Sequence, residues 1–218
     1  CARENQQTIQ QTGVTTARPP EQPVPLGLLA GRGLHFSLTR RTPMHDWHVA
    51  HGARMMDAGN WKRPQLYSSV ELEYQAVRQR AGLIDVSTLG KLELRGRDVV
   101  SFLEFIYPNR FANLPVGRVR YGVICDDAGI LLDDGTIARL ADDRFFLTTT
   151  TGNADAIDSW FRSWLAGRPH LDVQLTNVSG SYAAMNLAGP RSREVLRKLT
   201  DIDLSTAATP YLAARQGT

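Results

Sequence analysis

Three strand-like runs broken by acidic turns constrain this chain more than any other feature. They occupy residues 120–139 (RYGVICDDAGILLDDGTIAR) and 145–154 (FFLTTTTGNA). Large apolar residues alternate with small or polar ones, and Asp126-Asp-Ala-Gly129 and Ala141-Asp-Asp-Arg144 separate the runs, so the pattern predicts consecutive antiparallel hairpins. The second run would be continuously apolar through Ile130, Leu131, Leu132 and Ile137 were it not for Asp133 and Asp134. Carboxylates are depleted in strands, which marks the pair as a candidate site. A four-residue loop over 126–129 pairs Cys125 with Ile130 and therefore Tyr121 with Asp134. Direct partners have Cβ atoms roughly 4.5–5.5 Å apart, so a phenol and a carboxylate would line one pocket. A two-residue loop preserves that shared face and a three-residue loop destroys it. The plainer alternative is that both acids precede a turn at Gly135 and face water.

The rest of the chain reads as α+β, antiparallel sheets with packed helices. Ser68 with Glu71 resembles a capping box, followed by a helix stopped near Gly82. Asp98 can cap a helix carrying Val99, Phe102, Leu103 and Ile106 at i, i+3, i+4 and i+7, ended by Pro108. Ile157, Trp160, Phe161, Trp164 and Leu165 repeat the stripe in a third helix. Strands near 173–178 and 182–187 and a helix from Arg191 follow. Residues 1–40 are a polar, then Pro-rich lead-in (Pro19, Pro20, Pro23, Pro25), and 41–218 form the folded part.

Several tempting motifs carry little. His45, His48 and His51 with Asp46 suggest a metal site, but a third His three residues further on lies about a third of a turn round a helix from the first, so a structural or interface role is expected and no metal. Trp47 and Trp61 are expected to pack. Gly31-Arg-Gly33 lacks the flanking strand and helix of a nucleotide loop, and Asn177-Val-Ser179 is not expected to be a glycosylation acceptor, since no secretory leader is expected. Cys125 is expected to be a small core residue, and two cysteines make no metal cluster. The 25 basic and 22 acidic residues are scattered, with no run pointing to nucleic acid or a lipid surface. With 42% hydrophobic residues and no apolar stretch near the roughly 20 needed to span a bilayer, a cytoplasmic protein is the expectation. No phosphate loop, HExxH or Ser/His/Asp order supports a kinase or hydrolase.

Residues 117–123 (GRVRYGV), 133–140 (DDGTIARL) and 148–154 (TTTTGNA) closely resemble the folate-binding part of the alpha subunits of heterotetrameric sarcosine oxidases. That part belongs to the glycine-cleavage T-protein (aminomethyltransferase) superfamily, which the chain also resembles at 41–52 (RTPMHDWHVAHG), 81–87 (AGLIDVS) and 188–190 (AGP). Residues 59–64 (GNWKRP) and the lead-in 18–27 (RPPEQPVPLG) favour the oxidase branch. The resemblance implies the N-terminal part of a T-protein-like fold, cut from something longer, as the initial Cys1 also suggests. It implies that sarcosine is oxidised elsewhere in a multi-subunit complex holding FAD, FMN and NAD. The one-carbon unit passes to tetrahydrofolate here as 5,10-methylenetetrahydrofolate, or leaves as formaldehyde without folate. By the same resemblance Asp134 is the catalytic acid beside the reactive folate nitrogen, Tyr121 is a folate-contacting aromatic, and Leu132 and Thr136 line the site. Thr150 stands where T-proteins often carry Asn. The glutamate and arginine that hold the pterin would lie beyond Thr218, so these residues alone are expected to bind folate weakly and to be inactive. An aminomethyltransferase of glycine cleavage and a non-catalytic folate-binding relative are the alternatives.

Overall fold

The computed structural model describes residues 39–218. The lead-in therefore lies outside the described residues apart from Thr39 and Arg40, as do Cys1 and Gly31-Arg-Gly33. The described chain runs β1 (Arg40–Arg41), α1 (His45–Ala50), β2 (Arg54–Ala58), β3 (Trp61–Leu66), α2 (Val70–Gln79), β4 (Gly82–Asp85), β5 (Gly90–Arg95) and α3 (Val99–Ile106). It continues through β6 (Arg118–Cys125), β7 (Leu131–Ala141), β8 (Arg144–Thr149), α4 (Ala154–Ala166), β9 (Gln174–Asn177), β10 (Met185–Ala188) and α5 (Ser192–Leu196). The largest sheet has five strands in the order β6-β7-β8-β5-β9, all antiparallel. A three-stranded sheet (β1-β3-β2) and a two-stranded one (β10-β4) complete the α+β fold.

Helices α3 and α4 cover one face of the large sheet because their stripes match it. Val99, Phe102, Leu103 and Ile106 from α3 and Ile157 and Phe161 from α4 meet Leu92, Leu94, Ile124, Ile137, Phe145 and Leu147 from the strands. Each such side chain contributes about 1.5–3 kcal/mol by leaving water. Phe102 and Phe161 meet edge to face, 5.8 Å apart, which fixes one helix against the other.

The helix ends differ in detail from their sequence signatures. The cap of α2 is Ser69, whose Oγ accepts from Leu72 N (3.2 Å). Glu73, not Glu71, turns back to accept from the N–H groups of Tyr67 and Ser68. Two adjacent serines offered the same signal, and the chain used the second. Asp98 does precede α3, but its carboxylate accepts from Asp172 N (2.9 Å) and so anchors the approach to β9. Cys125 is only partly buried, at the end of β6.

The three histidines take different places. His51 stacks on Trp47 and hydrogen-bonds its carbonyl, and Trp47 remains half exposed. His48 is buried, with Nδ1 bonded to the Tyr67 hydroxyl and Nε2 to Asp85 (2.9 Å). Asp85 also accepts from Ser87 N (2.9 Å), and so joins the α1 segment to the end of β4. Below it the fully buried Lys91 donates to the carbonyls of Ser87 (2.9 Å) and Leu89 (2.8 Å). Burial lowers the Lys91 pKa, opposed by the Asp85 charge. Among the described residues no group of three or more His, Cys, Asp or Glu is placed to hold a metal ion. No helix among them is long and apolar enough to cross a membrane.

Burial works to raise the Asp85 pKa, but hydrogen bonds from Ser87 and His48 outweigh it and the net shift is downward. A carboxylate with a depressed folded pKa stabilises above the unfolded value of about 3.9 and loses that contribution as pH falls through the lower folded value. Asp85→Asn should cost about 2–3 kcal/mol near pH 7, since it removes the buried carboxylate that His48 and Ser87 N hydrogen-bond. It should also flatten the acid limb of the stability curve below pH about 4. Urea unfolding from pH 7 down to pH about 2 measures both effects.

Candidate functional site at the β6–β7 hairpin

The tip of the hairpin is a three-residue turn. Asp126 N donates to Ile130 O (3.0 Å), Gly129 N donates to Asp126 O (2.9 Å), and Asp126 Oδ1 accepts from Ala128 N and Ile130 N. Gly129 has φ +78°, as such a turn requires of its last residue. By itself this turn would set Tyr121 and Asp134 on opposite faces. A bulge reverses that outcome. Cys125 pairs with Leu131 but Ile124 pairs with Asp133, so Leu132 is an extra residue on β7. Beyond it Val123 pairs with Asp134 and Tyr121 with Thr136.

Tyr121 and Asp134 consequently share a face, as diagonal neighbours and not as the direct partners that a four-residue loop would give. The Tyr121 hydroxyl reaches across and donates to Asp134 Oδ2. Asp134 Oδ1 has no hydrogen-bond partner among the described residues. The pair lies on an open surface and lines no enclosed pocket, since Tyr121 is 54% exposed.

The adjacent acid goes the other way. Asp133 is 3% exposed and accepts from Thr150 Oγ1 (2.6 Å), Thr150 N (3.1 Å) and Asn153 Nδ2 (3.4 Å). It ties the hairpin to the loop that opens α4, where Asn153 also donates to Leu132 O (2.9 Å) across the bulge. Burial, with the Asp133 charge behind it, pushes the Tyr107 phenol well above its ordinary pKa. Close approach explains Gly135 beside the acids. A Cβ there would fall 1.9 Å from the Thr148 carbonyl oxygen, so only glycine lets β7 pass.

The remaining sequence candidates divide between the faces. Thr136 is on the face of Tyr121, and its N–H (2.9 Å) and hydroxyl (2.8 Å) both bond Thr148 Oγ1. Leu132, the bulge residue, is 36% exposed beside it. Thr150 is engaged with Asp133 through both of its donors and is not brought to the Tyr121–Asp134 pair. Sequence reading missed Asn153, Thr148 and Tyr107. The first two stand inside the TTTTGNA motif, but nothing in that motif says which strand face each residue serves.

The GCVT N-terminal domain model matches residues 44–218, which is most of the chain. The chain therefore belongs to that family, the class of the glycine-cleavage T-protein. Among individual relatives it is 44% identical to the sarcosine oxidase subunit alpha of Corynebacterium sp. (strain U-96), over 93% of this chain and 22% of that protein. It is 41% identical to the subunit of the same name from Rhizobium meliloti (strain 1021), over 94% of this chain and 22% of that protein. An aminomethyltransferase from Anoxybacillus flavithermus is 37% identical over 78% of this chain and 45% of its own length. The crystal structure of aminomethyltransferase T from Bartonella henselae superimposes with a TM-score of 0.68 at 28% identity, covering 73% of this chain and 43% of that one. The chain thus spans about a fifth of the oxidase subunits and under half of the aminomethyltransferases.

The inward acid and the outward phenol should differ sharply in their response to substitution. Asp133→Ala removes the buried acceptor of both part-buried Thr150 donors and one acceptor of Asn153, and should cost about 2–4 kcal/mol. Tyr121→Phe removes one bond on an open face and should change stability by less than about 0.5 kcal/mol. Urea denaturation of the two variants checks the contrast.

Proposed function

We propose that residues 41–218 are the N-terminal portion of a T-protein-like folate-binding domain within a sarcosine oxidase alpha subunit. In this reading sarcosine is oxidised to glycine at a flavin held elsewhere in a multi-subunit complex that also carries FAD, FMN and NAD sites. The one-carbon unit is delivered to tetrahydrofolate at the β6–β7 hairpin, giving 5,10-methylenetetrahydrofolate. The observation that carries the reading is the Tyr121–Asp134 pair. A carboxylate oriented by a phenol, with its other oxygen free, stands on an open face next to exposed Leu132 and half-exposed Thr136. That donor set suits a ligand with an amine nitrogen and a flat, partly apolar body.

Tetrahydrofolate, when bound, supplies the amine that captures the one-carbon unit. The protein's own residues have a limited task, because placement contributes most when nucleophile and electrophile are already reactive. Asp134 keeps negative charge where cationic character develops and can hold a proton on Oδ1. Tyr121 restrains the carboxylate through Oδ2, and Leu132 offers apolar contact. Asp133 and Thr150 act indirectly, by holding β7 to the loop before α4.

The second reading, an aminomethyltransferase, draws support from the superposition on that fold. Its relatives match less of this chain, however, and at lower identity.

In the complete protein carrying this sequence, Asp134→Ala should slow folate-dependent methylene capture by about 10²-fold or more, the usual weight of a positioned acid or base. Flavin reduction by sarcosine should stay within about twofold, because it belongs to a different site. Stopped-flow flavin absorbance and product analysis measure the two rates separately. Equal loss of both would contradict the division of labour, and no loss of either would remove Asp134 from the chemistry.

A further inference from the structure

The Ala188-Gly-Pro190 motif has no part in the hairpin site, yet it builds a second concave feature. At Gly189, φ is +109°, and a Cβ there would lie 2.6 Å from Val77 O and 2.7 Å from Arg80 O. Glycine therefore lets the chain leaving β10 press against the last turn of α2, where Arg191 N donates to Arg80 O (2.9 Å). The two segments border an open recess of about 460 Å³ lined by Ala76, Arg80, Ala81, Arg191, Glu194, Val195 and Lys198.

Its charge is unbalanced. Three cations face one carboxylate, and that carboxylate is already bonded to Arg191 (2.9 Å). The side chains of Arg80 and Lys198 have no ion pair or hydrogen bond among the described residues. Cations near helix C-termini are favoured by the helix dipole, which accounts for a basic residue at the end of α2 or α5. The dipole does not account for three of them lining, from two segments, one recess that Ala76, Ala81 and Val195 also line.

We propose that this recess is a binding site for a small multivalent anion bearing carboxylate or phosphate groups. Arg80 and Arg191 offer planar forks suited to paired oxygens, Lys198 adds a mobile point charge, and the small apolar lining admits a short carbon body. The site is separate from the Tyr121–Asp134 face, so its fate is independent of the folate reading.

Inorganic pyrophosphate and citrate, titrated separately into the 218-residue chain and followed by calorimetry and backbone amide shifts, test the proposal. Saturable one-to-one binding of either is expected, with shifts confined to residues 76–81 and 189–198. The tighter of the two distinguishes a phosphate from a carboxylate ligand. Arg80→Gln with Lys198→Gln should weaken binding by at least about tenfold, while Arg80→Lys with Lys198→Arg should stay within about threefold. Both pairs alter exposed side chains, and circular dichroism confirms that the variants fold. Absence of saturable binding, shifts elsewhere, or affinity unchanged in the glutamine variant would overturn the proposal.

Discussion

The register of β6 against β7 decides what every other residue of the hairpin can do. A three-residue turn at 127–129 would place Tyr121 and Asp134 on opposite faces, and the extra residue Leu132 reverses that parity one step further along. From there on Asp133 faces the core and Asp134 the open side. A strand has a side-chain period of two, so a single inserted residue reassigns two adjacent carboxylates at once. The bulge is itself held, because Asn153 donates to the Leu132 carbonyl and to Asp133. Gly135 then permits the close pass beneath Thr148.

The inward acid binds the hairpin to the start of α4, and α4 with α3 closes the hydrophobic face of the five-stranded sheet. Among the described residues the outward acid's side chain is hydrogen-bonded by the Tyr121 phenol alone. In the proposed reading, stability and chemistry fall to neighbouring residues that share a residue type. A second buried acid, Asp85, performs a similar structural task for the N-terminal segments through His48, Tyr67 and Ser87. The fold thus uses buried carboxylates as ties between elements and leaves Asp134 accessible on a face that helices do not cover.

Much of this was legible in the residues, for physical reasons that differ from element to element. The stripe Val99, Phe102, Leu103, Ile106 predicted α3 because helical periodicity is written directly in the sequence. Ser68 was one position away from the true cap, since either serine could bond the first turn. The histidine run gave no sign of which ring would be buried, since only three-dimensional proximity joins His48 to Asp85. The hairpin was legible as a hairpin, and its shared Tyr121–Asp134 face was anticipated through the wrong loop. A bulge leaves no mark in composition; it emerges from the competition between turn geometry and burial of Ile124, Asp133 and Ile137. For the same reason residue type alone does not separate Asp133 from Asp134, and Thr150 was grouped with the open-face residues although its donors turn inward to Asp133.

The most direct test of this division is a crystal structure of the complete protein carrying this sequence with tetrahydrofolate bound. The account predicts a folate amine nitrogen within hydrogen-bonding reach of the Asp134 carboxylate and Tyr121 beside the ligand. Asp133 should still be bonded to Thr150 and out of contact. Folate seated away from the Tyr121 face, or held by Asp133, would contradict it.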